Sequence, residues 1–209
     1  MKVAVFGGTG RTGVHVVRAA LHKGYEVVAL ARTPQKMAVE DEKLTVIKGD
    51  VEDKTAVIQT VKGCDAVISA IAPNLAGVKN IIAAMKEQGV NRLVITSGAG
   101  VKRAGDDPPF SSKVISFLIK TFSREVYEQS IAIADAAQAS GLDYTVVRAP
   151  RLVDKPATGS LYVGPLNKNM KTTLSREDYG NFLVAQVADA SLVRQTPVLS
   201  DKSTRAFRI

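Results

Sequence analysis

Short apolar runs, rich in Val, Ile and Ala, alternate along the chain with longer segments whose apolar residues recur at helical spacing. The runs have the length and composition of β-strands, and the segments between them have the periodicity of amphipathic helices. The pattern predicts strands at Lys2–Phe6, Glu26–Ala31, Leu44–Lys48, Ala66–Ala70, Arg92–Thr96, Tyr144–Arg148 and Pro197–Leu199. It predicts helices near Thr12–Lys23, Lys54–Val61, Ala76–Gln88, Ser123–Ser140 and Arg176–Ala188.

Strands that alternate with helices in this way form parallel sheets, because each helix returns the chain to the same end of the sheet. Several of the strands are nearly continuous apolar runs, which indicates that helices cover both faces of the sheet. Right-handed crossovers then favour a strand order of 3-2-1-4-5-6. The expected fold is therefore α/β, a Rossmann-type doubly wound parallel sheet with helices on both faces, formed by residues 1–209 as a single domain.

Two stretches lack this regular alternation. Residues 98–112 are rich in Gly and Pro, and residues 150–173 carry further Pro and Gly residues after Pro150 without helical periodicity. Each stretch begins at the carboxyl end of a predicted strand, which is the edge of a doubly wound sheet where ligands bind. We therefore expect these two stretches to form the walls of a substrate site.

A glycine-rich turn follows the first strand directly and opens the first helix, with Gly7, Gly10 and Gly13 in a G-x-x-G-x-x-G pattern. The first glycine allows a tight turn, the second lets a pyrophosphate approach the backbone, and the third allows close packing of the helix. The helix N-terminus adds free N–H groups and the positive end of its dipole. Further donors to the same phosphates are expected from the side chains of Thr9, Arg11 and Thr12. The turn predicts a dinucleotide site.

The end of the second strand indicates which dinucleotide binds. Sites that prefer NAD place an acidic residue there to hold the ribose 2′-hydroxyl, whereas this chain has Arg32, with Lys36 four residues further on. A guanidinium pairs with a 2′-phosphate and stacks on adenine. The predicted cofactor is therefore NADPH (NADP), although an arginine at a strand end is also compatible with a purely solvated role.

Composition narrows the choice of partners. The 209 residues carry 28 Lys and Arg against 20 Asp and Glu, a net charge of +8, but the basic residues are scattered and form no run typical of nucleic-acid binding. An anionic small-molecule ligand accounts for the surplus of positive charge better than a nucleic acid does. The single cysteine, Cys64, and the absence of a leader or an apolar span favour a cytoplasmic protein that binds neither nucleic acid nor membrane, as a monomer or weak homo-oligomer. No cysteine pair or His/carboxylate cluster indicates a metal site.

Five motifs in order carry a resemblance to a known group: GGTGRTG at 7–13, GDV at 49–51, the run 67–73, VITS at 94–97 and GLDYTVVRAP at 141–150. In this arrangement the chain resembles the atypical short-chain dehydrogenases of the NmrA-like group over almost its whole length. Within that group it is similar to the flavin reductases, also known as biliverdin-IXβ reductases. The resemblance implies a cytoplasmic oxidoreductase that binds NADP.

The resemblance also implies roles for individual residues. Asp50 and Val51 would border the adenine. The ribose and nicotinamide side would be lined by Ala70, Ile71 and Ala72. Ser97 matches an active-site serine near the nicotinamide, and Pro150 and Arg151 would border the carboxamide and the substrate.

Three departures from the biliverdin-IXβ reductases leave the substrate open. Biliverdin-IXβ reductases typically have a His at the position of Arg151 and a bulky aromatic residue at that of Ala99, and the loop in this chain is longer. A wider and more positive pocket would follow. NmrA-like relatives that only bind the cofactor act as redox-sensing regulators, so a non-catalytic NADP(H) sensor or assembly factor is the alternative.

The tyrosines exclude one common mechanism. None of the five is followed four residues later by Lys, so the Tyr-x-x-x-Lys pair that moves a hydroxyl proton in many short-chain dehydrogenases is missing. What remains is hydride transfer to an acceptor that takes its proton from solvent, such as a flavin, a quinone or biliverdin.

The leading hypothesis is an NADPH-dependent reductase of a flat, conjugated, anionic acceptor. Ser97 and Arg151 are its candidate catalytic residues, although Ser97 could equally cap the turn after its strand. A nucleotide-sugar or isoprenoid-type reductase is a further possibility.

Overall fold

The computed structural model describes residues 1–103, 105–107, 124–167 and 170–202, and the strands in these ranges are short. In the described ranges they are β1 Lys2–Phe6, β2 Glu26–Ala31, β3 Leu44–Lys48, β4 Ala66–Ser69, β5 Arg92–Gly98, β6 Asp143–Ala149, β7 Arg151–Val153, β8 Leu161–Gly164, β9 Thr173–Ser175 and β10 Val198–Asp201. The helices there are α1 Gly13–His22, α2 Lys54–Val61, α3 Leu75–Glu87, α4 Arg124–Ala139 and α5 Arg176–Ala188.

One large sheet has the order β3-β2-β1-β4-β5-β6-β10-β8. Pairing is parallel from β3 through β6 to β10, and only β8 runs antiparallel, at one edge. This confirms the predicted order and extends it by two strands beyond β6. All carboxyl ends of the central parallel strands therefore meet at one edge of the sheet.

Helices cover both faces of the sheet, as predicted for a doubly wound fold. On one face α2, α3 and α4 pack over a core that includes Phe6, Ile81 and Ile95. On the other face α1 and α5 pack over a core that includes Ile68 and Leu183. Side chains alternate between these two cores along each central strand, which explains why the strands read as continuous apolar runs.

Side-chain caps fix where two of the helices begin on the ligand-binding side. Asp53 accepts hydrogen bonds from the backbone N–H groups of Thr55 and Ala56 at the start of α2. Asn74 accepts one from the N–H of Gly77 at the start of α3. These contacts satisfy donors that a helix N-terminus otherwise leaves free.

The stretch 150–173 departs from the prediction, which placed no strand within it. It contains β7 and β8; β7 pairs in parallel with β9 to form a separate two-stranded sheet. These strands have three or four residues and include polar, exposed positions such as Arg151, so no apolar run marks them. Residues 104, 108–112 and 168–169 of the two predicted walls lie outside the described residues.

Candidate functional site

The glycine turn is held against the end of β4. Gly7 has φ +86°, and a Cβ there would lie 2.7 Å from the carbonyl oxygen of Ala70. At Gly13 a Cβ would lie 1.9 Å from the carbonyl oxygen of Gly7. The third glycine is thus required by contact with the turn itself, where the sequence suggested packing of the helix on the sheet. Both positions exclude a side chain on steric grounds.

Free backbone donors cluster in this turn. The N–H of Gly10 bonds to Gly7 O at 2.9 Å and that of Val14 bonds to Gly10 O at 3.0 Å. The intervening N–H groups of Arg11, Thr12 and Gly13 have no acceptor in the described part of the chain. Thr12 precedes α1 without a side-chain cap. An anion placed here would meet several N–H groups and the positive end of the α1 dipole.

A groove of about 740 Å³ runs from this turn to the ends of β2 and β3. Of the residues predicted to bind the cofactor, it is lined by Gly7, Thr9, Gly10, Arg32, Asp50, Val51, Ala70, Ile71 and Ala72. The fold therefore brings together predicted cofactor-binding residues from four separate loops. Lys36 is exposed in a short 3₁₀ turn, Pro34–Lys36, and is not among the described lining residues.

Arg32 and Asp50 form the polar end of the groove. The Nε of Arg32 lies 3.9 Å from Oδ2 of Asp50, and their side chains are 84% and 45% exposed. A pair this exposed interacts weakly. The guanidinium can therefore turn to another anion at small cost.

A second cavity of about 340 Å³ continues from the groove across the carboxyl ends of β4, β5 and β6, and the two share Ala70, Ile71, Ala72 and Pro73. Its described lining combines small and apolar residues with hydroxyl groups: Thr12, Ser69, Ala70, Ile71, Ala72, Pro73, Val78, Ile95, Thr96, Ser97, Gly98, Ser130, Ile133, Ala149, Pro150, Leu152 and Tyr179. No Asp, Glu, Lys, Arg or His side chain occurs in that described lining. We call this cavity the cleft.

Tyr179 is the one described lining residue of the cleft with a phenol group, and it is fixed by its neighbours. Its hydroxyl donates a hydrogen bond to the carbonyl oxygen of Val147 at 2.7 Å. Burial raises the pKa of Tyr179 well above its usual range. The phenol thus ties α5 to the end of β6, and it is poorly suited to proton transfer.

Two serine hydroxyls in the cleft have no hydrogen-bond partner within the described ranges, Ser69 Oγ and Ser97 Oγ. Ser97 was predicted from the sequence. Ser69 was not, because it ends the apolar run Ala66–Ser69 and reads there as part of a strand. The sequence feature that could have identified Ser69 is its position as a polar residue at the end of an apolar strand, at the edge of the sheet where ligands bind.

Pro150 and Arg151, both predicted to border the substrate, are placed differently. Pro150 lines the cleft, as does Leu152. Arg151 is exposed, its backbone N–H donates to Thr172 O at 3.2 Å, and it is not among the described lining residues. Alternation along β7 turns its side chain away from the side that Leu152 faces. A catalytic role for Arg151 stays a prediction.

Arg11 bridges the glycine turn to the segment after β7. Its Nη2 lies 2.5 Å from Oδ2 of Asp154, whose Oδ1 accepts a hydrogen bond from Arg176 at 2.7 Å. The hydrogen bond from Arg11 lowers the pKa of the Asp154 carboxyl. Arg11 was predicted to hold the pyrophosphate, and in this structure its charge is paired with Asp154.

A buried ion pair joins the segments that follow β5 and β6. Arg148 donates to Oδ2 and Oδ1 of Asp106 at 2.6 and 2.9 Å, and both side chains are 2% exposed. Arg148 also donates to Val101 O, and Asp106 accepts the N–H of Leu166. The pair fixes described parts of both predicted walls beside the cleft. In the sequence Arg148 is one of the scattered basic residues, and its position in β6 buries it.

Membrane-spanning and metal-binding features are both missing from the described ranges. Every helix in those ranges is too short or too polar to cross a membrane. No group of three or more His, Cys, Asp or Glu side chains there is arranged to hold a metal ion.

Comparison with known proteins identifies the family. A family model described as NAD(P)H-binding matches residues 7–190. An isoflavone reductase homolog of Zea mays is 31% identical over 156 residues, covering 69% of this chain and 46% of that protein. The chain spans about half the length of several curated relatives that it matches.

Solved structures share the fold. A short-chain dehydrogenase/reductase from Veillonella parvula in complex with NADP has a TM-score of 0.80 at 18% identity, covering 96% of this chain and 94% of that one. ChuY, an anaerobillin reductase from Escherichia coli O157:H7, has a TM-score of 0.79 at 20% identity, covering 96% and 97%. The predicted Rossmann fold and nicotinamide cofactor are confirmed, and the chain belongs to the NAD(P)H-binding family.

Proposed function

We propose that the protein is an NADPH-dependent reductase that transfers hydride to a flat, conjugated acceptor such as a flavin, biliverdin or a quinone. The observation that carries the proposal is the cleft itself. It continues directly from the cofactor groove, has a mostly apolar lining, and offers no charged side chain in its described lining. Such a lining suits a conjugated ring better than a sugar, which would need several polar partners.

The chemistry of the lining also favours this class. Reduction of a ketone or epimerisation of a sugar needs a protein acid or base of suitable pKa. Tyr179 is tied to Val147 and its pKa is raised, and Ser97 has an ordinary hydroxyl. A flavin, bilin or quinone that accepts hydride can take its proton from solvent, so the cleft needs only to orient the two rings.

In this proposal each part of the groove has a role toward the cofactor. The free N–H groups of Arg11, Thr12 and Gly13 bind the pyrophosphate, with Thr9 and Gly10 beside them. Asp50 and Val51 border the adenine, and the ribose and nicotinamide lie along Ala70, Ile71 and Ala72. Arg32 binds the 2′-phosphate, and exposed Lys36 adds positive charge nearby.

The acceptor lies over the nicotinamide between the described parts of the segments 98–112 and 150–173, with Ser97 and Pro150 at its edge. The net positive charge of the protein lies outside the described cleft lining. There it would attract an anionic side group of the acceptor, which would remain solvated. The name of the ChuY neighbour is a reason to place biliverdin beside flavin in the first set of compounds.

Steady-state oxidation of NADPH tests the proposal. We expect turnover with FMN, riboflavin, biliverdin or menadione, and faster turnover with NADPH than with NADH. Ser97→Ala should lower kcat with little effect on the Kd for NADPH. Tight binding of NADPH without turnover of any of these acceptors would contradict the reductase and favour a redox sensor or assembly factor, since such a protein needs only the bound cofactor.

A further inference from the structure

Two unpartnered hydroxyls lie on the same side of the cleft. Ser69 is the last residue of β4 and is 1% exposed, and its Oγ has no partner in the described part of the chain. Ser97 lies near the end of the neighbouring strand β5, and its buried Oγ likewise has no described partner. A buried hydroxyl without a hydrogen bond is disfavoured, so such groups in a cavity indicate a ligand that completes them.

The strand register places the two serines together. Ser69 is opposite Ile95 in the parallel pairing of β4 and β5, and Ser97 follows Ile95 by two residues. Residues two apart on a strand point to the same face. From the strand spacing and the rise per residue, the two Cα atoms are separated by about 8 Å. Their hydroxyls can therefore contact two neighbouring polar atoms on one edge of a ring.

The two sides of the cleft come from different layers of the protein. Leu152 packs against the core under α1 and α5, and Thr12 directly precedes α1. The serines share the opposite side with Val78 and Ile133, which belong to the core under α3 and α4. The hydroxyl pair is left to the acceptor if the nicotinamide lies toward Thr12 and Leu152, a placement that the Kd for NADPH of Ser69→Ala tests below.

The chemistry of the pair defines what it binds. A serine hydroxyl both donates and accepts, so two of them match an edge that carries a carbonyl oxygen beside an N–H. No charged side chain in the described lining would stabilise an ion at this edge. Val78, Ile95 and Ile133, which line the same side of the cleft, are apolar.

We propose that Ser69 and Ser97 form a hydroxyl pair that binds the neutral imide or lactam edge of the acceptor ring and thereby selects it over rings without an N–H. The proposal rests on the reductase function above and specifies its substrate class. Flavins carry an imide edge and biliverdin carries lactam edges, whereas menadione has isolated carbonyl groups. Ser69 is a specificity-determining residue in this scheme.

Substitution of Ser69 by Ala tests the pair. We expect Ser69→Ala to lower kcat/KM about tenfold for riboflavin and biliverdin, since a hydrogen bond is lost, and to change it less than twofold for menadione. The Kd for NADPH, measured by its fluorescence, should not change. The melting temperature should stay the same or rise, because the variant removes a buried hydroxyl that is unpaired without ligand. Ser69→Thr, which keeps a hydroxyl, should retain a preference for the imide and lactam acceptors.

Ser140→Ala is the matched control. Ser140 is also buried, but it is not among the described lining residues of the cleft, and its Oγ donates to Ala137 O at 2.6 Å. This variant should lose stability and keep the ratio of riboflavin to menadione activity. The hydroxyl-pair proposal would be overturned if Ser69→Ala lost as much kcat/KM for menadione as for riboflavin and biliverdin. It would also be overturned if the variant bound NADPH more weakly and its acceptor kinetics were unchanged. The second result would assign the hydroxyls to the cofactor carboxamide.

Equilibrium binding separates this proposal from the reductase function. Riboflavin is titrated into the NADP-loaded protein and its fluorescence quenching gives a Kd. If the wild type turns over no acceptor but binds riboflavin about tenfold more tightly than Ser69→Ala does, the reductase function fails and the pair stands. If the wild type neither reduces nor binds riboflavin or biliverdin, the pair is wrong.

Discussion

At the scale of single residues, we expect charge to decide the choice between NADPH and NADH. Arg32 is 84% exposed and its only described ion-pair partner, Asp50, is 3.9 Å away and itself half exposed. An exposed pair of this kind contributes between 0 and about 1 kcal/mol. A charge-assisted hydrogen bond to a phosphate contributes about 1.5–3 kcal/mol. Because the bond to the phosphate is the stronger of the two interactions, the guanidinium should leave Asp50 when NADPH binds.

Reversal of this charge should reverse the preference. In Arg32→Glu the carboxylate repels the 2′-phosphate and accepts a hydrogen bond from a ribose hydroxyl, so we expect the NADPH/NADH ratio of kcat/KM to fall by about 100-fold. Lys36→Glu, which changes the same charge outside the described groove lining, should lower the ratio less than tenfold. An unchanged ratio in Arg32→Glu would show that the 2′-phosphate binds elsewhere.

At the scale of elements, the strand ends and the contacts between loops shape the cleft. The buried ion pair between Arg148 and Asp106 links β6 to the segment that follows β5. Removal of one partner of such a pair leaves an uncompensated buried charge, which costs about 3–5 kcal/mol. The Arg148 guanidinium and two backbone N–H groups offset the desolvation of Asp106 and hold the pKa of its carboxyl below the usual range.

Asp106→Asn should therefore destabilise the protein at neutral pH by about 3–5 kcal/mol in urea unfolding. Because the pKa of Asp106 is lowered in the folded state, its contribution is complete above the unfolded pKa of about 4 and is lost as the pH falls through the folded value. The difference between wild type and variant should hence shrink toward acid. Glu128→Gln, which removes the exposed pair with Arg124, should cost no more than about 0.5 kcal/mol. A difference that stayed constant down to pH 2 would contradict this assignment.

The elements also show what sequence patterns can and cannot predict. Strands β1 to β6 match their predicted bounds within two residues, because each is an apolar run long enough to cross a covered sheet. Strands β7 and β9 have three residues each and carry no such run. Arg148 is buried together with Asp106, its ion-pair partner. The two residues are 42 positions apart in the sequence, so no local pattern encodes their contact. The glycine turn was predictable because its function requires contiguous residues, whereas Ser69 became visible only once its hydroxyl was placed.

At the scale of the whole molecule, the groove and the cleft form one continuous site across the sheet edge, joined at Ala70 to Pro73. A dinucleotide that spanned both would contact the ends of β1 to β6 at once. Ligands that bind only the folded state stabilise it by mass action, and one present at 100 times its Kd adds about 2.7 kcal/mol. Cofactor binding should therefore raise the stability of the entire fold.

This coupling predicts a thermal shift. In a domain of this size 1 kcal/mol corresponds to roughly 2–4 °C, so NADPH at 100 times its Kd should raise the Tm by about 5–11 °C. NADH at the same concentration should give a smaller shift, because it lacks the phosphate that Arg32 would hold. Gly10→Ala tests the turn with little cost to folding, since a Cβ there would lie 3.2 Å from Gly7 O, far less severe than the 1.9 Å contact at Gly13. That variant should unfold near the wild-type temperature without cofactor and lose most of the shift, because the Cβ occupies the space where the pyrophosphate approaches the backbone. A full shift in Gly10→Ala would mean that the phosphates bind away from the turn, and the cofactor would then have to enter the cleft by another path.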